Sequence, residues 1–406
     1  MISRKELLKW LAAVPVAGTL AGNELTRTAT GAKLIRPRYR RDYLTELGVR
    51  QLINARGTFT TLTGSLMEPE VIEAINYTAQ TYVPLPELMD KVGERIAEML
   101  ECEGAMVTAG AASALTLGTA GIITGTDQEK IRELPNLPGP QLEVIMQSTH
   151  RFGYDHAVRN CGVKIVEVDS ARDMERNINS RTVMALHFNA AREHLMSHEE
   201  FVAICQRNNI PSFIDCAADV PPRENLFKYK QMGFDLVTFS GGKGIRGPQS
   251  AGLLFGRKDL IEAARLNHLP YGNSIGRGMK VNKEEIVGMM VALEIYLTKD
   301  HEAEWADWLQ RVETIQGRVT SLDGVQAEQV IPEGPSNVFP GCRITWQEEN
   351  YPITYGDMIQ ALRYGHPSIE AAGGRDDIYV NVAMMRAEEA DVVGRRIREE
   401  LEASLA

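Results

Sequence analysis

Apolar positions recur along this chain in two rhythms. Leu88, Val92, Ile96 and Met99 fall three or four apart, which predicts a helix with one buried face. Ile286, Met289, Met290 and Leu293 repeat that spacing inside a long helix expected over Lys283 to Leu297, and a helix around Trp305 and Trp308 follows. Elsewhere the apolar residues come in short continuous runs. These are Gly104–Thr108, Val144–Met146, Val163–Val168, Thr182–Phe188, Ile210–Ile214, Phe234–Thr238 and Ala251–Phe255. Runs of that length read as strands buried on both faces. Helix starts fall between them: Glu68-Pro69-Glu70 puts proline where its missing N–H costs nothing, and Ser197 with Glu200 forms a capping box. The charged, proline-bearing segment Asp127 to Pro140 is a surface excursion.

Strands alternating with helices predict an α/β fold with a mostly parallel sheet covered on both faces. From about Gly324 the pattern changes to short strands and a closing helix, Glu388 to Leu401, a smaller α+β domain. The expected organisation is therefore a large domain over residues 32–300 and a small one over 301–406.

The N-terminus differs in character. Ser3-Arg4-Lys5-Glu6-Leu7-Leu8-Lys9 precedes a mildly apolar run from Trp10 to Gly22, and residues 1–31 resemble a twin-arginine export leader with Lys5 in place of the second arginine. The alternatives are a periplasmic destination through that leader or a loose arm on a cytoplasmic protein. The run is too short for a membrane span. A basic, Tyr-bearing segment from Leu34 to Val49 is expected to form a docking helix.

Composition narrows the function classes. A net charge of −10 argues against nucleic acid as a partner. Cys102, Cys161, Cys205, Cys216 and Cys342 are scattered and odd in number, so they read as free thiols. His187, His194 and His198 show no paired-ligand spacing, and no metal is expected.

The chemistry concentrates where the strands end, the edge at which open α/β sheets bind ligands. Lys243 stands between glycines in Ser240-Gly241-Gly242-Lys243-Gly244, after a buried strand. A partly desolvated lysine loses its proton easily and becomes a nucleophilic amine, suited to a Schiff base with pyridoxal phosphate. Asp215 closes another apolar strand 28 positions earlier, where a buried carboxylate needs a partner such as a pyridinium N–H. Ala217 offers that ring a flat, small surface, and His150 is a candidate to stack on the other face. Gly110, Ala111, Ala112 and Ser113 open a helix with exposed backbone N–H groups, an anion site that Ser240 would complete around the cofactor phosphate. Arg56, Arg246 and Arg386 are candidates for gripping an anionic group of the substrate; Arg246 could equally brace its loop.

Together these stretches resemble the fold-type-I pyridoxal-phosphate enzymes, in particular the branch of bacterial selenocysteine synthase (L-seryl-tRNA(Sec) selenium transferase) and its D-glucosaminate-6-phosphate ammonia-lyase relatives. The matching segments are Ile53–Thr58, Thr108–Ser113, Ile214–Ala218, Ser240–Lys243 with Arg246–Gln249, and Ser274–Lys280. The resemblance implies a seven-stranded-type sheet, Lys243 as the Schiff-base lysine, Asp215 on the ring nitrogen and His150 against the ring. It also implies a homodimer or higher homo-oligomer in which the Arg277 loop reaches a neighbour's cofactor. The tRNA-binding N-terminal domain of the selenium transferase is expected to be missing, in keeping with the acidic balance, and the expected partner is a small amino acid or amino-sugar acid. A lyase is the first expectation, with aminotransferase, racemase or aldolase chemistry, or a non-catalytic protein on the same fold, as alternatives.

Overall fold

The computed structural model describes residues 41–405, so the leader-like stretch 1–31 and residues 34–40 of the expected docking helix lie outside the described residues. The chain divides into two units at Arg50. Of the first, one short helix is described, Tyr43–Glu46, with the Asp42 carboxylate accepting the Thr45 N–H at 3.1 Å. It ends early because Gly48 turns left-handed at φ 67°.

The second unit, Gln51–Ala406, carries the strands. In chain order these are β1 (Leu52–Asn54), β2 (Gly104–Thr108), β3 (Glu143–Gln147), β4 (Lys164–Val168), β5 (Thr182–Phe188), β6 (Ser212–Asp215), β7 (Leu236–Ser240) and β8 (Gly252–Gly256). Toward the C-terminus follow β9 (Gln326–Val330), β10 (Gly341–Thr345), β11 (Ser368–Glu370), β12 (Ala372–Gly373) and β13 (Ile378–Asn381).

Seven strands form the central sheet in the order β2-β8-β7-β6-β5-β3-β4. All are parallel except β8, which runs antiparallel to both neighbours. The eleven residues from Gly241 to Ala251 are too few for a helical crossover, so the chain turns straight back after β7. That turn carries Lys243.

Helices cover both faces of the sheet. Leu85–Met99, His198–Arg207 and Lys283–Thr298 pack Val92, Ile96, Ile204, Met289 and Leu293 on one side of Ile145, Ile214 and Val237. Full burial of each such side chain stabilises the fold by about 1.5–3 kcal/mol. On the other face, helices Gly110–Thr124 and Lys258–Leu266 pack on Met106, Met146, Phe213 and Leu254. Helix Gly110–Thr124 is small-residued because it is enclosed almost all round. A Cβ on Gly118 would lie 2.5 Å from the Phe213 ring, and one on Gly121 would lie 2.6 Å from Ala264 N.

The C-terminal part builds a second core around an antiparallel sheet, β12-β13-β10-β9. Trp308, Val312, Cys342, Ile344, Met358, Val380, Val393 and Ile397 fill it. Strand β1 pairs in parallel with β11, so Ile53 and Ala55 join this core although they lie in the stretch expected to form the large domain. All five cysteines are free. The surface excursion folds in part as a helix, Gln128–Glu133, capped by Asp127. Among the described residues no helix is long and apolar enough to cross a membrane.

Candidate active site

The turn after β7 is held by close backbone approach. Gly241 N–H donates to Ala251 O and Gly247 N–H to Gly241 O, both at 2.8 Å. A Cβ on Gly242 would sit 2.4 Å from Gln249 Cα, and one on Gly244 would sit 2.1 Å from Val220 O. Glycine is needed there because there is no room, and the result fixes where Lys243 leaves the backbone. Burial lowers the Lys243 pKa, while Asp215 and Asp219 pull it back up. The amine is therefore closer to its nucleophilic form than a surface lysine.

Asp215 ends β6, beside β7 in the sheet. Its Oδ1 accepts the Ala217 N–H at 2.9 Å, and Oδ2 has no donor among the described residues. Burial pushes its pKa up to about 6, opposed by the Ala217 N–H and by Lys243. A buried carboxylate with one oxygen unpaired fits a pyridinium N–H, which would restore its charge. Ser240 N–H donates to Ala217 O at 3.2 Å, which ties the two strand ends together.

The helix at Gly110 supplies the anion end. Gly110 has φ 80°, the N-cap residue Ala109 makes no side-chain cap, and Ser113 Oγ donates back to Ala109 O at 2.8 Å. The first-turn N–H groups, Ala111 and Ala112 among them, are left for a ligand. Gly252 pairs with Thr108 on one side and Ser240 on the other, and a Cβ there would lie 2.6 Å from Gly110 C. Ser240 is thus one strand from the helix start. The N–H groups suited to a phosphate and the amine and carboxylate suited to a pyridine ring thus stand at the ends of neighbouring strands of one sheet.

His150 lies in a short 3-10 turn after β3 and has no exposed surface. Its Nδ1 accepts the Phe188 N–H at 3.2 Å, and Phe188 pairs in register with Asp215, so the imidazole sits one strand from the carboxylate. Its Nε2 faces His194 Nδ1 at 2.9 Å, and the ring packs edge-on to His187. Besides the Phe188 N–H, the described side-chain contacts of His150 are with other histidines, a grouping that spacing along the chain did not reveal.

The four candidate arginines part company. Arg246, at φ 58°, pairs with Glu68 at 3.0 Å and Glu304 at 3.4 Å and donates to Ala383 O at 3.2 Å. It joins three segments, the bracing role. Arg386 is exposed at the N-terminus of helix Ala387–Ala403, and Arg277 is exposed in a 3-10 turn, Ile275–Gly278. Arg56 has its guanidinium 4.9 Å from the Phe59 ring, a buried Nε without a partner, and no ion pair among the described residues. Its loop lies on the lysine turn: Ser65 N–H and Oγ both donate to Gly242 O at 3.0 Å.

Asp219 is the residue whose role sequence reasoning missed. It is fully buried, accepts from Asn189 Nδ2 at 2.6 Å and Tyr229 OH at 3.1 Å, and also accepts from Ser336 Oγ. Burial raises its pKa against those three donors. Its spacing four residues after Asp215, at the same strand end, was the available signal.

Similarity to known proteins agrees with this geometry. A D-glucosaminate-6-phosphate ammonia lyase from Salmonella typhimurium (strain 14028s / SGSC 2262) is 30% identical over 295 residues, 70% of this chain and 76% of the relative. A 5'-C-glycyluridine monooxygenase-decarboxylase from a Streptomyces species is 29% identical over 338 residues, 80% of this chain and 82% of the relative. The solved structure of D-glucosaminate-6-phosphate ammonia-lyase superposes with a TM-score of 0.81 at 26% identity, covering 90% of this chain and all (100%) of the other. The family model for L-seryl-tRNA selenium transferase matches residues 52–321. With a lysine, a carboxylate and an anion cradle at one sheet edge, this chain belongs to the L-seryl-tRNA selenium transferase family and is a pyridoxal-phosphate-dependent enzyme of fold type I.

Proposed function

We propose that the enzyme is a lyase that removes ammonia from a small amino acid or amino-sugar acid bearing a β-hydroxyl and an anionic group. The observation that carries this is Arg56, an arginine without a carboxylate partner whose loop is hydrogen-bonded onto the lysine turn. Such a guanidinium matches a substrate carboxylate or phosphate bidentately. The ammonia-lyase likeness of the chain supports the same choice.

The residues divide the work. Lys243 would carry the cofactor, and when bound the cofactor withdraws electrons from the substrate Cα. Asp215 holds its negative charge at the ring nitrogen, and Ser240 with the N–H groups of Gly110 to Ser113 holds the phosphate. His150 lines the neighbouring strand end. Once the substrate amine has displaced it, the Lys243 amine, kept low in pKa by burial, would take the Cα proton and pass it to the departing β-hydroxyl. The β-hydroxyl leaves as water, and hydrolysis of the resulting enamine consumes one water and yields a 2-oxo acid and ammonia. The exposed Arg277 turn is the element we assign to contact with a second copy in a homodimer.

The purified enzyme should be yellow, and borohydride should fix the cofactor on the Lys243 peptide. Incubation with 2-amino-3-hydroxy acids and phosphorylated amino-sugar acids should release ammonia and 2-oxo acid in equal amounts. Lys243→Ala should abolish both the fixed label and turnover. A colourless protein unaffected by added pyridoxal phosphate, or amine transfer without free ammonia, would overturn the lyase assignment.

A further inference from the structure

Four histidines meet behind the strand end that holds Asp215. His150 follows β3, His187 is on β5, His194 is in the loop after β5, and His198 opens the next helix. The His187 ring lies 4.5 Å from that of His150, 5.0 Å from that of His194 and 4.7 Å from that of His198. One nitrogen from each of His150, His187 and His194 lies within 4.8 Å of the others. Neither nitrogen of His187 has a hydrogen-bond partner among the described residues, and the side chain has no exposed surface. A buried imidazole carries one donor and one acceptor, and leaving both unpaired is costly. Something absent from the protein's own contacts is needed to satisfy it.

We propose that His150, His187 and His194 bind one divalent first-row transition metal, with zinc the best fit. The donor set is all imidazole, which suits zinc and its borderline neighbours and excludes calcium and magnesium, which take oxygen. Each neutral imidazole, the form that burial favours, carries one lone pair that a metal can take. The fourth position falls to solvent or to His198. Asn189 donates through Nδ2 to Asp219 and Tyr229, so its Oδ1 must accept from His198 Nε2 at 2.7 Å. That bond fixes the proton on Nε2 and leaves Nδ1 of His198 as the lone-pair nitrogen, the arrangement by which neighbours orient metal-binding histidines. Binding has a cost at His150: its proton must move to Nδ1, and the Phe188 N–H at 3.2 Å loses its acceptor. That backbone contact and the 2.9 Å contact between His150 Nε2 and His194 Nδ1 are exchanged for up to three metal–nitrogen bonds. The ion would staple the ends of β3 and β5 to the loop before helix His198–Arg207, one strand from Asp215.

The test is metal analysis of the cofactor-loaded enzyme, dialysed against EDTA and then repleted with zinc. Wild type should take up about one zinc per chain, and cobalt should replace it with a visible ligand-field band of tetrahedral intensity. His187→Phe, a substitution that suits neighbours Phe201 and Phe234, should retain the cofactor and the native circular dichroism while losing the zinc. His194→Gln, at a half-buried position, provides the second variant should the first not fold. Wild type below about one-tenth of a zinc per chain after repletion, or undiminished zinc in a folded variant, overturns the proposal. Cofactor content is read separately, so failure here leaves the lyase assignment standing.

Discussion

At the scale of single residues, environment decides which of several similar side chains does chemistry. Asp215 ends β6 and Asp219 lies four residues on, yet Asp219 is satisfied by three donors while Asp215 has one oxygen unpaired. A carboxyl with folded pKa about 6, above its ordinary 3.8, supports the cofactor-free fold below pH 3.8 and loses that support as pH rises toward 6. The ionised form then costs up to about 3 kcal/mol at neutral pH. Asp215→Asn should therefore stabilise the cofactor-free protein at pH 7–8 relative to wild type, with the gain vanishing near pH 4, measured by urea unfolding across pH. The same variant should bind pyridoxal phosphate more weakly. The arginines give a second contrast. Arg246→Met removes a bracing cation and should cost about 1–3 kcal/mol in stability with KM little changed. Arg56→Met should leave stability nearly intact but raise KM about 10- to 100-fold, as steady-state kinetics would show.

At the scale of elements, the site depends on two places where backbone meets backbone. The helix start at Gly110 packs on Gly252, and Gly252 lies between Thr108 and Ser240 in the sheet. Gly252→Ala would place a methyl 2.6 Å from a carbonyl carbon that cannot move independently. It should cost about 1–3 kcal/mol and weaken cofactor affinity together, measured by thermal unfolding with and without added pyridoxal phosphate. A variant with normal stability and affinity would show that the helix start is not the phosphate cradle. The periodicity of the helices and the continuous apolar strands were legible in sequence because each rhythm follows from the geometry of its element. The antiparallel run of β8 was not, because it depends on the length of the turn carrying Lys243 rather than on any residue in the strand.

At the scale of the whole molecule, residues 52–65 tie the C-terminal core to the catalytic edge. Strand β1 pairs with β11, and eleven residues after its end Ser65 is bonded to Gly242. A second tie runs through Asn337, whose N–H donates to Ala218 O at 2.7 Å and whose Oδ1 accepts from Thr58 at 3.2 Å. Ser336 adds a third by donating to Asp219. Ser336→Ala should cost about 1 kcal/mol, read as a lower urea midpoint with unchanged slope. An unchanged midpoint would mean that Asp219 is satisfied without the C-terminal domain.

The sequence alone determined the layered α/β architecture, the lysine turn, the carboxylate at a strand end and the small-residue helix start. Each is a local requirement: a period set by the backbone, or a glycine demanded by close approach. Tertiary structure decided what local pattern does not encode. It placed β1 in the distant C-terminal core, separated Arg56 from Arg246 by the acids around the latter, and gathered His150, His187 and His194 from three segments. Those outcomes depend on which groups meet across the fold, and burial sets what each meeting costs.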